Sequence, residues 1–307
     1  MNIKTEVVIL LATYNGENYL KEQLDSILHQ TYSNFLLIIR DDNSTDSTLK
    51  IIESYNDSRL IVLKNNTNKH GQVSNFANLY EYALKNIDFN YLMFSDQDDI
   101  WYENKISLCL KFFAEHKTLS KALVYTNYTV WNMKTRTQVP AYTKQLDASF
   151  NRLFVQSWLM GCTMMMNRGL VKEIGAIPED VENHDYWVAL VSAINNSIFY
   201  LNTETMKHRL HDSNVTTRQD TTSILGRFKT ISDNLLNYKS KNKKFMFWKK
   251  TYYHLKQQYP DNKNVKELGS ILNSHSISKC FKAKQYGYNG LSKKSTILFY
   301  LLLLNFR

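Results

Sequence analysis

Val7-Val8-Ile9-Leu10-Leu11-Ala12 has the composition of a strand buried on both faces, and it stops at the polar stretch Thr13-Tyr14-Asn15-Gly16-Glu17-Asn18. Leu20, Leu24, Ile27 and Leu28 then recur at helical spacing, and Phe35 to Ile39 reads as a second buried strand. That strand closes on Arg40-Asp41-Asp42-Asn43-Ser44-Thr45-Asp46, ahead of a helix from about Ser47 to Tyr55. Leu60 to Leu63 is a third strand, Gln72 to Asn86 a helix, and Tyr91 to Phe94 a fourth strand. Strand, loop, helix and strand at this spacing predict a doubly wound, mainly parallel α/β sheet with a Rossmann-like first half. Open sheets of this kind bind ligands at the carboxyl ends of their strands. Three polar clusters fall on that edge: Thr13 to Glu17, Asp41 to Asp46, and Ser95 to Asp99.

Beyond Trp101 the pattern loosens. Ile106 to His116 reads as a helix, Ala122 to Tyr128 as a strand, and Gly161 to Asn167 as a buried strand whose three adjacent Met residues fill core. Asp185 to Ile194 has helical character behind Glu182-Asn183-His184. From about Thr222 the chain turns helical, basic and aromatic, with Ile224, Phe228, Ile231 and Leu235 at helical spacing. No Gly or Pro linker separates this part, which predicts an extension packed on the body.

The chain has 307 residues and 43% apolar content, ample for a large core, and 9 Gly with 3 Pro exclude collagen-like and low-complexity architectures. Cys109, Cys162 and Cys280 show no CxxC spacing, which argues against a disulfide framework or thiolate zinc site and for a reducing compartment. The opening residues lack the basic region and cleavage site of a signal peptide, and no run approaches the roughly 20 apolar residues of a spanning helix. A cytoplasmic protein is expected.

Charge is unevenly distributed. Residues 1–217 carry 20 Lys and Arg against 24 Asp and Glu, a net of −4, whereas 218–307 carry 18 against 4, a net of +14. Such a basic segment is a handle for an anionic partner. Within it, Lys239 to Lys250 interleaves Lys with Phe245, Phe247 and Trp248, followed by Tyr252 and Tyr253. The pattern suits an anionic membrane face, with aromatics at the headgroup level, and equally a helix with solvated lysines and aromatics turned to the core. Membrane contact through 239–307 is the expectation, and nucleic acid is not expected, because the body offers no recognised nucleic-acid module.

Phe94-Ser95-Asp96-Gln97-Asp98-Asp99-Ile100-Trp101 sets three carboxylates within four residues directly after an apolar strand. Without a cation that arrangement is electrostatically costly, and hard ions such as Mn2+ or Mg2+ take carboxylate, water and phosphate oxygens. The plainer alternative is an acidic helix start or solvated turn.

Together these segments resemble the inverting nucleotide-sugar glycosyltransferases of family 2, which have the GT-A fold. The resemblance rests on Ala12-Thr13-Tyr14-Asn15-Gly16, Gln23 to Tyr32, Arg40 to Thr48 and Ser95 to Trp101, in order and spacing over about the first 105 residues. The part through about Val215 is similar to the bacterial surface-polysaccharide branch with its rhamnosyltransferase-like members. Residues 1–217 are thus expected to form a GT-A domain, with 1–105 the nucleotide-sugar half and 106–217 the acceptor half, and 218–307 a helical extension.

The resemblance implies site roles. Thr13, Tyr14 and Glu17 would lie along the base and ribose, and Asp42 would accept the pyrimidine N3–H, which uracil and thymine present and cytosine does not. Ser74 would sit beside the donor. Asp96 and Asp98 would hold the metal and donor, with Arg209 on the diphosphate and His211 as a third metal contact. Asp185 would be the general base, with Glu182 in reserve. The implied reaction is transfer of one sugar from a UDP- or dTDP-sugar, with Mn2+ or Mg2+, to a glycan acceptor that is lipid-linked, in bacterial surface-glycan synthesis at the inner membrane face. Two other classes compete: a sugar nucleotidyltransferase, whose first loop would be Gly-rich with Arg and Lys where 11–20 has one Gly and neither base, and a non-catalytic binding module built on the basic segment.

Overall fold

The computed structural model describes residues 3–211 and 238–304. Ile224, Phe228, Ile231 and Leu235, and the run Asp212 to Val215, lie outside them. The chain divides into two compact units: the first takes Met1–Asp147, Leu159–Glu179 and Asn183–Arg209, the second Ala148–Trp158, Asp180–Glu182 and Leu210–Arg307.

The first unit is built on a nine-stranded sheet. Two residues, Ile3–Lys4 (β1), precede the central strand Val7–Thr13 (β2), whose Val7 to Leu11 are fully buried. Helix Leu20–Leu28 (α1) buries Leu20, Leu24 and Ile27, and Phe35–Asp41 (β3) pairs in parallel with β2. Helix Thr48–Glu53 (α2) leads to Leu60–Lys64 (β4), parallel to β3. Helix Gln72–Asn86 (α3) runs over the bounds its periodicity predicts, and Ile87–Asp88 (β5) pairs with β1 in a separate small sheet. Tyr91–Ser95 (β6) returns beside β2 in parallel.

From there the sheet changes character. After Ile100–Trp101 (β7) and helix Lys105–Glu115 (α4) come Leu123–Asn132 (β8), Thr137–Pro140 (β9), Met164–Asn167 (β10), helix Arg168–Ile174 (α5), helix His184–Ile194 (α6) and Ile198–Leu210 (β11). The order is β4-β3-β2-β6-β10-β8-β11-β7, with β9 on β8. Strand β10 is antiparallel to both β6 and β8, and β11 is antiparallel to β7. The sheet is therefore mixed: β4, β3, β2 and β6 run parallel, and β10 enters from the opposite end. Met164, Met165 and Met166 are fully buried, as core-filling methionines should be.

The second unit is helical: Phe150–Val155, Tyr238–Gln258, Lys263–Leu272, Ser276–Gln285 and Lys293–Leu304. Its core stacks Phe154, Trp248, Tyr288 and Phe299, with Trp248 5.7 Å from Phe154 and 5.2 Å from Phe299 between ring centroids. Asn262 caps the Lys263–Leu272 helix through the amides of Asn264 and Val265. Of the aromatics in 239–253, Phe245, Trp248 and Tyr252 are buried in this core, which corrects the expectation of a membrane-facing position for these three, because each is worth more as apolar area there than in contact with water; Tyr253 is 55% exposed. Lys244 pairs with Glu182, and Asp180 takes His254 at 2.7 Å and Lys250 at 3.5 Å.

Candidate active site

The carboxyl ends of β2 and β3 are joined by a dense set of hydrogen bonds. Thr13 Oγ1 donates to Asp41 Oδ1 (2.8 Å), the Asn15 amide to Ser44 Oγ (2.9 Å), and the Gly16 amide to Thr48 Oγ1 (2.7 Å). Glu17 works both ways, its amide donating to Asp46 Oδ2 (3.1 Å) and its carboxylate accepting from the Ser47 amide (2.9 Å). Gln97 clamps the first loop from the end of β6: its side chain accepts from the Tyr14 amide (2.9 Å) and donates to the Tyr14 carbonyl (3.0 Å). A side chain at Gly16 would meet Gln97 Oε1 at 2.5 Å and would have to displace the Gln97 clamp. Of the three first-loop residues expected along the nucleotide, Thr13 and Glu17 thus spend their polar atoms on the neighbouring loop, and Tyr14 offers a ring that is 55% exposed.

Asp42 is buried and heavily engaged. Its Oδ1 accepts from Asn65 Nδ2 (2.7 Å) and His70 Nδ1 (3.1 Å), and its Oδ2 from the Gly71 amide (2.7 Å). A carboxylate has about four lone-pair sites, so one is left for a ligand donor. Gly71 has φ 99°, which suits glycine and turns the chain into α3. Beneath it the buried Arg40 guanidinium donates to Asn75 Oδ1 (2.8 Å) and Asn65 Oδ1 (2.6 Å), and burial holds it below its ordinary pKa. Ser74 is buried in the first turn of α3.

The end of β6 is the reverse case. Asp96 and Asp98 keep some solvent contact, whereas Asp99 is fully buried. Asp99 Oδ1 pairs with His208 Nδ1 at 2.8 Å, and its Oδ2 has no hydrogen-bond partner among the described residues. Burial, then the charges of Asp99 and Asp98, push Asp96 up to about 8. Burial works against the charge on His208, but the hydrogen bond and the charge of Asp99 outweigh it and hold His208 above its ordinary value. Asp96, Asp99 and Cys162 bring one ligand atom each within 4.8 Å of one another. Desolvation raises the Cys162 thiol well above its usual range, which keeps it protonated and unsuited to a hard cation. The carboxylates suit one: the three acids are crowded, and Asp99 Oδ2 is buried without a hydrogen-bond partner among the described residues.

Several side chains hold this loop. Gln23 Nε2 on α1 donates to Ser95 Oγ (2.7 Å), Ser26 Oγ accepts from the Trp101 amide (3.0 Å), and Gln30 donates to the Tyr102 carbonyl (2.7 Å). Arg209 is buried on β11, donating Nε to the Asp98 carbonyl (3.0 Å), pairing with Glu22, and lying over Tyr19 and Trp131 at 4.8 Å each. The run Lys207 to Leu210 is the end of a strand, held there by pairing of Met206 and Lys207 with Trp101 and Ile100. Lys105, fully buried, donates to the Cys162 carbonyl (2.6 Å) and lies 4.3 Å over Trp101, with burial depressing its pKa.

Asp185 sits in the first turn of α6, its Oδ2 accepting from the Gly161 amide at 3.2 Å. Its charge is among those felt by Asp96, so the two lie in one electrostatic neighbourhood. The preceding His184 is buried with both ring nitrogens unpartnered among the described residues, stacked 3.8 Å from Phe76, and burial holds it neutral with a pKa of about 3. Glu182, engaged by Lys244, and His211, one residue past β11, belong to the second unit.

Sequence reading did not single out His208 as the partner of Asp99, nor Gln97, Asn65, Lys105 and Cys162. Only Gln97 carried a local signal, as the residue between two of the acids.

The family model described as Glycosyl transferase family 2 matches residues 8–175, more than half of the chain. The chain belongs to that family. Among its relatives it is 30% identical to an uncharacterized glycosyltransferase of Rickettsia typhi, over 68% of this chain and 65% of that one. It is 30% identical to the dTDP-rhamnosyl transferase RfbG of Shigella flexneri, over 66% and 72%. It is 31% identical to the UDP-Glc:alpha-D-GlcNAc-diphosphoundecaprenol beta-1,3-glucosyltransferase WfaP of Escherichia coli, over 61% and 70%. The chain thus spans just under two thirds of the Rickettsia relative's length. Among solved structures it is similar to S. aureus TarS 1-349 in complex with UDP, with TM-score 0.57, 18% identity, and 97% and 90% of the two chains covered. The mannosyltransferase PcManGT of Pyrobaculum calidifontis, in complex with GDP-Man and Mn2+, has TM-score 0.51 at 15% identity, covering 99% and 88%. The chain shares the GT-A fold with these neighbours, a doubly wound half continued by a mixed sheet.

Proposed function

We propose that this family member transfers one sugar, with inversion, from a UDP- or dTDP-sugar to a hydroxyl of a lipid-linked glycan acceptor in bacterial surface-glycan synthesis. The observation that carries the reading is the placement of Asp96, Asp98 and Asp99 at the end of β6 with the charge of Asp185 felt among them. Displacing a nucleoside diphosphate from an anomeric carbon needs a neutralised leaving group and a base on the opposite face. Asp96 and Asp98, backed by Asp99, would hold Mn2+ or Mg2+, which when bound supplies Lewis-acid neutralisation of the diphosphate. Asp185, half-buried and fixed by the Gly161 amide, takes the proton from the acceptor hydroxyl. The free lone pair of Asp42 accepts the pyrimidine N3–H, and the exposed Tyr14 ring covers the base. Named relatives that use dTDP-rhamnose and UDP-glucose, one on a diphosphoundecaprenol acceptor, support the donor and lipid-linked classes. A lipid-linked acceptor would bring the chain to the cytoplasmic face of the membrane, with contact through 239–307.

Thermal stabilisation by UDP-, dTDP-, GDP- and CMP-sugars, each with and without Mn2+, tests this. A manganese-dependent rise in Tm confined to uridine or thymidine donors is expected. Equal response to CMP-sugars, or none to the panel, overturns the reading.

A further inference from the structure

The Ser276–Gln285 and Lys293–Leu304 helices of the second unit carry large apolar side chains that the core does not take. Phe281 is 72% exposed, Ile277 68% and Ile297 59%, with Leu304 also exposed. Ile277 and Phe281 are one turn apart, and Ile297 and Leu304 two turns apart, so each pair forms a stripe on one helix face. The two helices pack on each other, Cys280 Sγ meeting the Tyr300 carbonyl at 3.6 Å. Lys284 continues the first stripe and Lys293 begins the second, one turn before Ile297. Residues 268–307 hold five Lys and one Arg and no Asp or Glu. By contrast, the Lys-rich segment from Lys243 to Tyr252 buries Phe245, Trp248 and Tyr252 and spends Lys244 on Glu182 and Lys250 on Asp180.

Exposed Phe and Ile flanked by Lys284 and Lys293, which have no acidic partner among the described residues, suit the boundary between anionic headgroups and acyl chains, where apolar side chains enter and lysines meet phosphate. Neither helix is long and apolar enough to cross a bilayer, so contact with one would be interfacial. We infer that these last two helices, rather than the Lys-aromatic segment before them, form a docking surface for an anionic lipid bilayer. The inference rests on the proposed membrane-face setting, but its test reads lipid binding alone.

The full chain is sedimented with vesicles of phosphatidylcholine, and of phosphatidylcholine mixed equally with phosphatidylglycerol. Binding to the mixed vesicles that weakens with salt is expected. Phe281→Ser with Ile277→Ser lowers partitioning at least about tenfold, by loss of buried apolar area. Lys284→Glu with Lys293→Glu lowers it by a similar factor on mixed vesicles only. Tyr253→Ser, on the exposed side of the earlier helix, leaves it unchanged, and each variant keeps the wild-type Tm. Absence of binding, equal binding to both vesicles, or greater sensitivity to Tyr253→Ser overturns the inference. So does light scattering that shows a dimer broken by Phe281→Ser, which would give the face to a second copy. Vesicle binding without any nucleotide-sugar response keeps this surface and removes the transferase reading; the converse removes only the surface.

Discussion

The two strand ends of the first unit differ in how far the chain completes them. At β2 and β3 nearly every polar atom meets another: Thr13 with Asp41, Glu17 with Ser47, Asp42 with Asn65, His70 and Gly71, Arg40 with Asn65 and Asn75. At β6 three carboxylates crowd together, one with a buried oxygen that no described residue meets, and among the described residues His208 is the group paired with Asp99. The first end is a rigid cradle finished by folding alone. The second crowds like charges, the arrangement that the proposed divalent-cation site uses.

The largest expected effect exploits this difference through chemistry. Asp185→Asn should lower turnover by about 10²–10⁴-fold while leaving UDP affinity in Mn2+ unchanged, measured by single-turnover rates and calorimetry. A rate near wild type would move the base elsewhere.

Next comes stability. Asp42→Ala leaves the buried Asn65 amide without this partner and opens the exposed His70 and Gly71 donors to water, and should cost about 1–2 kcal/mol in urea unfolding without metal. Asp98→Asn should cost under about 0.5 kcal/mol there, yet abolish the Mn2+-dependent Tm shift with UDP or dTDP. Equal costs for the two would erase the contrast.

The pH dependence has a definite sign. Asp96 is raised from 3.8 in the unfolded chain to about 8, so the folded state binds the extra proton and the metal-free chain loses stability as pH rises through that window. The slope attributable to it is at most about 1.4 kcal/mol per pH unit, and Asp96→Asn should remove it. Thermal melts from pH 4.5 to 8 with chelator, compared between the two proteins, read that difference. The smallest effect is at the clamp: Gln97→Ala loosens Tyr14 and should cost about 0.5–1 kcal/mol, seen as faster amide exchange at Tyr14.

Much of the cradle was legible in sequence because its signals are local. An apolar run followed by turn and capping residues marks β2, β3 and β6, and the period of α3 gives its ends. The second half of the sheet was not, since β10 finds β6 and β8 without any neighbourly pattern to announce it. Asp99 and His208 stand 109 residues apart, and a strand end rich in Lys, His and Arg looks like a loop until its partner is known. In the helical unit, lysines spaced between Phe and Trp fit a wet face and a dry face equally well. Whether the aromatics face core or solvent depends on Phe154 and Phe299, far away in the chain.

The position of β10 also bears on how the chain is made. Synthesis proceeds from the N-terminus, so β6 is complete at Ser95 with β2 on one side, while its other edge waits for Met164 to Asn167. For those intervening residues a nascent chain displays the open edge of an apolar strand, Leu92, Met93 and Phe94, to whatever lies near the ribosome. Pausing or truncation in that interval would leave a half-sheet prone to pair with another copy, and the three methionines of β10 are the stopper that ends the exposure.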